Sequence, residues 1–179
     1  MSGGPGTGKT TLAHALACEL GCPAIVRDEI KQGMVMATSG YRSARSDLLN
    51  CLTLETFFGV LSVLLRARVT VVAEAAYQDR LWRANLEPLA DLAHLRVIRC
   101  TAPAATARDR IAQRAAENPR RAAHDDRELL EALTQGDHSL ESFVPISLDV
   151  PTKVVDTSSV CAPSIEDIAA FARGGMPSC

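Results

Sequence analysis

Gly3-Gly4-Pro5-Gly6-Thr7-Gly8-Lys9-Thr10 is the stretch on which the fold turns. It has the form GxxxxGK[ST] and runs directly into a segment where Leu12, Ala13, Leu16, Ala17 and Leu20 keep helical spacing until Gly21 stops it. Glycines let consecutive backbone N–H groups converge on phosphate oxygens, and the positive end of the helix dipole lies beneath them. Gly4, Pro5, Gly6, Thr7, Gly8, Lys9, Thr10 and Thr11 therefore read as a cradle for nucleotide phosphates. In it Lys9 supplies a point charge to the β- and γ-phosphates, and the Thr10 hydroxyl is a candidate Mg²⁺ ligand. The rival dinucleotide fingerprint GxGxxG fails, because Gly4-Pro5-Gly6 is followed by Thr7, Gly8 and Lys9 and the third glycine is missing.

Such a loop normally leaves the end of a strand of about five residues. Only Met1 and Ser2 precede Gly3. The expectation is a truncated first strand, with a short apolar run belonging directly upstream.

Downstream, helical and strand-like segments alternate. Pro23 to Val26 is a short strand, Glu29 to Met36 a helix, and Asp47 to Arg68 a long helix, apolar nearly all round and so expected to be buried against the sheet. Val69 to Ala73 is a β-branched strand ended by Glu74; Asp79 to Ala93 is helical and Leu95 to Cys100 a strand. Ala104 to Asn118 is an arginine-studded helix, Glu128 to Leu133 a further helix, Val154-Val155 a last strand and Ser164 to Ala172 a terminal helix capped by Gly174. Strands separated by helices imply right-handed crossovers, hence an α/β class with a parallel sheet between two helical layers. Asp28, Glu74 and Asp156 all fall at strand carboxyl ends, where such sheets bind ligands.

The 179 residues, 47% hydrophobic and 22% charged, suffice for one domain spanning 1–179 with a real core. No uninterrupted apolar run approaches the ~18 residues of a membrane span, and no signal peptide opens the chain, so the expectation is a cytoplasmic protein without a membrane partner. The net charge of −2 argues against a uniformly basic nucleic-acid-coating surface. Arginines 108, 110, 114, 120 and 121 nevertheless cluster. The six cysteines show no zinc spacing and read as small apolar residues.

The sequence lacks the Asn-Lys-x-Asp guanine motif of GTPases and has Arg27-Asp28-Glu29-Ile30-Lys31 after its first complete strand. Here it resembles the small P-loop kinases of the AAA_33 type, which include the polynucleotide 5′-kinase domain, and more distantly chloramphenicol phosphotransferase. The resemblance implies a P-loop NTPase three-layer sandwich and an ATP- and Mg²⁺-dependent transfer of the γ-phosphoryl to a hydroxyl on a small molecule or a polynucleotide 5′ end. An antibiotic acceptor and a non-catalytic ATP-binding regulatory module are the alternatives. Asp28 matches the Asp that acts on the acceptor hydroxyl, and Lys31 the closing Arg of an Arg-Asp-Asp-x-Arg motif. Glu74 stands in a position that touches substrate, although Ala75 and Ala76 replace the polar residues relatives carry beside it. Arg110-Ile111-Ala112-Gln113-Arg114 resembles a lid, here around residues 104–127, whose arginines stabilise the phosphoryl group in transit. The four-residue step puts Arg110 and Arg114 on one helix face. Val155-Asp156-Thr157 resembles the end of the family's last strand, with the following loop near the adenine base. On the residues alone, Asp28 also reads as a helix N-cap, Glu74 as a solvated strand end, and Arg110 with Arg114 as a solvent-facing stripe.

Overall fold

The computed structural model describes residues 1–38, 41, 48–117, 126–135, 140, 143–159 and 161–174. Arg120 and Arg121 of the arginine cluster lie outside the described residues, as does part of the expected lid. Helices α1 (Lys9–Leu20), α2 (Arg27–Ala37), α3 (Leu48–Arg66), α4 (Asp79–Leu86), α5 (Ala104–Glu117), α6 (Asp126–Gln135) and α7 (Ile165–Arg173) alternate with strands β1 (Ala24–Val26), β2 (Val72–Glu74), β3 (Val97–Thr101) and β4 (Thr152–Asp156).

Among the described residues both strand pairs are parallel, as crossovers through helices require. β1 pairs with β2, setting Val26 against Glu74, and β3 pairs with β4, setting Thr101 against Asp156. Between the two pairs lie Met1 and Ser2. Ser2 donates from its amide to the Ile98 carbonyl (2.8 Å) and accepts from the Cys100 amide (2.8 Å), while the Met1 ammonium donates to the Ala73 carbonyl (2.5 Å) and the Ala75 amide to the Met1 carbonyl (3.3 Å). Two residues thus hold the C-terminal end of the central strand position, enough to launch the phosphate loop. Beside them a cavity of about 840 Å³ opens between Val71–Ala73 and Leu95–Ile98.

The layers follow from side-chain alternation. Val72, Ile98, Cys100 and Val155 face Leu12, Leu16 and Ile168 of α1 and α7. Ile25, Val71 and Ala73 face the other way, toward Phe57 and Leu61 of α3, Trp82 of α4 and Leu89 of a 3₁₀ turn over Glu87–Asp91. That turn ends early what the spacing presents as one helix to Ala93; Pro88 lacks the N–H to continue it.

Helix α3 corrects one expectation. Only Thr53, Phe57 and Leu61 are buried, whereas Leu48 and Val63 are about 70% exposed. The helix packs on α2 as well as on the sheet, with Thr53 against Met34 and Phe57 and Leu61 toward Ile30, and leaves Leu48 and Val63 outside both contacts. By length and composition alone it would be long and apolar enough to cross a membrane.

Candidate functional site

The phosphate loop is held in shape from both sides. Gly6 adopts φ +73°, and a Cβ there would come within 2.3 Å of the Ala107 carbonyl oxygen on α5, so no other residue fits. Gly8, also left-handed, begins α1, and the loop closes on itself as the Thr7 hydroxyl and the Lys9 ammonium both donate to the Gly4 carbonyl (2.8 and 3.0 Å). Lys9 is folded back on the loop's own carbonyl, and its charge also acts on the buried Glu74. An incoming phosphate would replace a neutral acceptor by an anionic one.

Thr10, in the first turn of α1, donates its hydroxyl to Glu74 Oε2 at 2.9 Å. Glu74 is buried, which excludes the solvated strand end. Burial raises its pKa, an effect opposed by Lys9 and by the Thr10 hydrogen bond. The expectation put Glu74 on the acceptor; the structure joins it to Thr10, so hydroxyl and carboxylate form one oxygen pair at the helix start.

Asp28 lies one strand away. Its helix begins with Val26 as N-cap, without a side-chain capping bond, so Asp28 does not cap α2. It accepts instead from Arg27 Nη1 at 3.0 Å, and Arg27 Nη2 donates to Asn50 of α3 at 3.0 Å. The Asp28 side chain remains 46% exposed, open to a ligand while its orientation is fixed. Glu74 is near enough for the two carboxylates to repel. Lys31, one turn further along α2, is buried. Thr11 is exposed on α1, beside the loop.

The two lid arginines diverge in their partners. Arg110 reaches under the loop, donating to the carbonyls of Thr157 (2.5 Å), Ser158 (3.3 Å) and Gly6 (3.4 Å). Arg114 pairs with the buried Asp126 of α6 through Nε at 2.8 Å and also through Nη2. Neither belongs to a free solvent-facing stripe. Thr157, which sequence reading noted only as a strand end, places its hydroxyl 2.7 Å from the Thr7 carbonyl and 3.0 Å from that of Thr101, tying loop, β3 and β4 together. Arg27, Asn50 and Asp126 carried no sequence signal of these pairings.

The chain is similar, at 25% identity and a TM-score of 0.80, to the structure of a proposed kinase from Chloroflexus aurantiacus J-10-fl, covering 98% of this chain and 95% of that one. Its fold also matches the Mycobacterium tuberculosis APS kinase in complex with AMPPNP and APS (TM-score 0.60, 15% identity, 97% and 92% covered). A sugar kinase from Janibacter sp. HTCC2649 matches as well (TM-score 0.60, 19% identity, 97% and 90% covered). No curated protein sequence matches. These likenesses give the α/β architecture of small P-loop kinases. The loop, the helix it opens and the parallel strands that flank it all lie within residues 1–136, which match the AAA_33 profile of AAA domains, and the chain belongs to that family.

Proposed function

We propose that the chain transfers the γ-phosphoryl of Mg²⁺-ATP to a hydroxyl of a small molecule. The observation that carries this is the Thr10–Glu74 pair set at the start of α1, 2.9 Å apart, directly behind a loop whose lysine donates to a backbone carbonyl. Oxygen donors of this kind suit Mg²⁺, which keeps several waters and draws the rest of its shell from phosphate. Thr10 and Glu74 would hold it, directly or through water; bound there, it neutralises charge on the phosphates.

The protein's own groups account for the remaining work. Loop amides and Lys9 hold the phosphates. Asp28, oriented by Arg27, accepts the acceptor's hydroxyl proton as the new O–P bond forms and the bond to the leaving ADP breaks. Lys31 and the residues of α2 line the approach of the acceptor. Arg110 and Arg114 are proposed to meet the charge of the transferred group, with residues 104–127 as the lid; Arg114 would have to exchange Asp126 for phosphate. Nothing in the comparisons supports a polynucleotide 5′ end as acceptor.

Steady-state ADP release with and without a panel of hydroxylated small molecules tests the reading. Asp28→Asn should leave Mg²⁺-ATP affinity within about two-fold and lower acceptor-dependent kcat by ~10² or more, since an amide does not take the proton. Acceptor-independent ATP binding without any turnover would instead favour a regulatory module, and full turnover in Asp28→Asn would remove Asp28 from the mechanism.

A further inference from the structure

A second cavity, of about 500 Å³, lies against the loop. Its walls are Gly4 and Pro5 of the loop, the end of β3, the start of α5, and Leu140, Phe143 and Pro145. Phe143 packs on Gly4, whose position a Cβ would bring within 3.7 Å of the Phe143 Cβ. The same Gly4 offers its carbonyl to Lys9, so the cavity adjoins the place where the phosphates sit.

Among the described residues that line it, Arg99 is the one charged side chain. Among the described residues its buried Nε has no hydrogen-bond partner, and none of those lining the walls is a carboxylate. The nearby hydroxyls already have acceptors: Thr7 donates to Gly4 and Thr101 to Val155. A guanidinium set among apolar walls with a buried donor unsatisfied costs stability, and a bound anion offsets that cost by supplying two acceptor oxygens in the plane of the fork. The aromatic face of Phe143 and the prolines suit an apolar or flat body attached to that anion.

We infer that this cavity holds an oxyanion carried by the acceptor, a carboxylate, sulfate or phosphate, with Arg99 as its specificity-determining residue. The inference rests on the phosphotransferase reading for the word acceptor, though the anion site itself stands on Arg99 and the cavity. An acceptor seated there reaches the terminal phosphate past Gly4 and Pro5, with its hydroxyl end toward Lys9 and Asp28.

The test uses the whole chain labelled with ¹⁵N-arginine and saturated with Mg²⁺-AMPPNP, so that the phosphate loop is filled. Titration with sulfate, with glycerate and with glycerol is followed at the Arg99 Nε–H resonance, assigned by its loss in Arg99→Lys. Sulfate and glycerate should shift the signal saturably in the millimolar range and glycerol should not, and Arg99→Met should weaken sulfate binding by about ten-fold or more. An Arg99 signal unmoved by either anion up to roughly 50 mM overturns the inference, because so weak an affinity would leave the site empty. The wild-type titration decides this even if Arg99→Met fails to fold. In turnover, hydroxy acids should exceed their matched polyols in kcat/KM, and equal rates would overturn the acceptor assignment. Should Mg²⁺-AMPPNP not bind at all, the kinase reading fails, while an Arg99 shift on adding sulfate would still establish the anion site.

Discussion

Glu74 sets function against stability within one side chain. Its carboxylate is buried and touches Thr10, and burial holds its pKa above the ordinary 4.5. The folded chain therefore keeps the Glu74 proton to higher pH than the unfolded chain does. Stability contributed by the protonated form is fully present below about 4.5 and is lost as pH rises through the folded pKa. Glu74→Gln keeps an oxygen to accept from Thr10 and removes the buried charge. At neutral pH, without nucleotide, this variant should be more stable by on the order of 1 kcal/mol, about 2–4 °C in Tm, and the difference should vanish in acid. The same change should weaken Mg²⁺-dependent turnover, because a neutral amide is a poorer partner for the cation. Thermal scans at several pH values check the first half, and loss of the Mg²⁺ dependence of kcat the second. The role of Glu74 was only half legible in the sequence: a carboxylate at a strand end is visible, but its partner Thr10 is 64 residues away. The pairing of Thr7 with Thr157 spans 150 residues and was invisible for the same reason. Local spacing reports which residues share a helix face, not which strand ends the sheet brings side by side.

Between β2 and β3 the sheet is thin, and this makes an experiment at the level of one element. The ladder there consists, among the described residues, of the bonds of Met1 and Ser2. The adjacent cavity is lined by the inner edges of both strands and by Tyr77, a fully buried ring at φ +45° whose hydroxyl has no partner among the described residues. A tripeptide or pentapeptide of Val and Ile fused directly ahead of Met1 would continue the strand in the parallel register that Ser2 sets against Arg99. It should displace a buried ammonium, fill the apolar slot and complete the ladder, raising Tm by about 5 °C or more at roughly 1 kcal/mol or more per buried side chain. A fusion of equal length in Ser and Gly controls for the ammonium alone, and if both raise Tm equally the slot does not accept a strand. Helices were the most legible elements because their spacing repeats over several turns: α1 begins and ends where Lys9 and Gly21 place it. Strands were less so. The apolar run from Val69 enters the ladder only at Val72, since Arg68 and Val69 still bond back to α3. The outer face of α3 misled because apolar residues all round signal burial on every side, and α3, covered by the sheet and α2, leaves Leu48 and Val63 exposed.

At the scale of the whole molecule, the phosphate loop is the joint between two halves. Thr10 binds it to Glu74 in the β1–β2 half, while Thr157 and Arg110 bind it to the β3–β4 half. Helix α1 behind the loop packs on Val72 of one half and on Ile98, Cys100 and Val155 of the other. A ligand gripped by the loop therefore presses on both, and its binding energy becomes stability of the whole chain. Mg²⁺-ATP at about 100 times its Kd should stabilise the fold by ~2.7 kcal/mol, which corresponds to a rise of about 5–10 °C in Tm. Native-state hydrogen exchange should show where that energy goes: amides of β1–β2 and of β3–β4 should gain protection together. Thr157→Val removes the hydroxyl that joins Thr7 to Thr101 and keeps the side-chain volume, so it cuts one tie without opening a cavity. In this variant the nucleotide should still protect β1–β2 through Thr10 and Glu74, while the gain at β3–β4 falls, since of the two side-chain ties from the loop to that half Arg110 remains. Equal gains in both halves of Thr157→Val would show that the coupling runs through α1 and the core rather than through the loop.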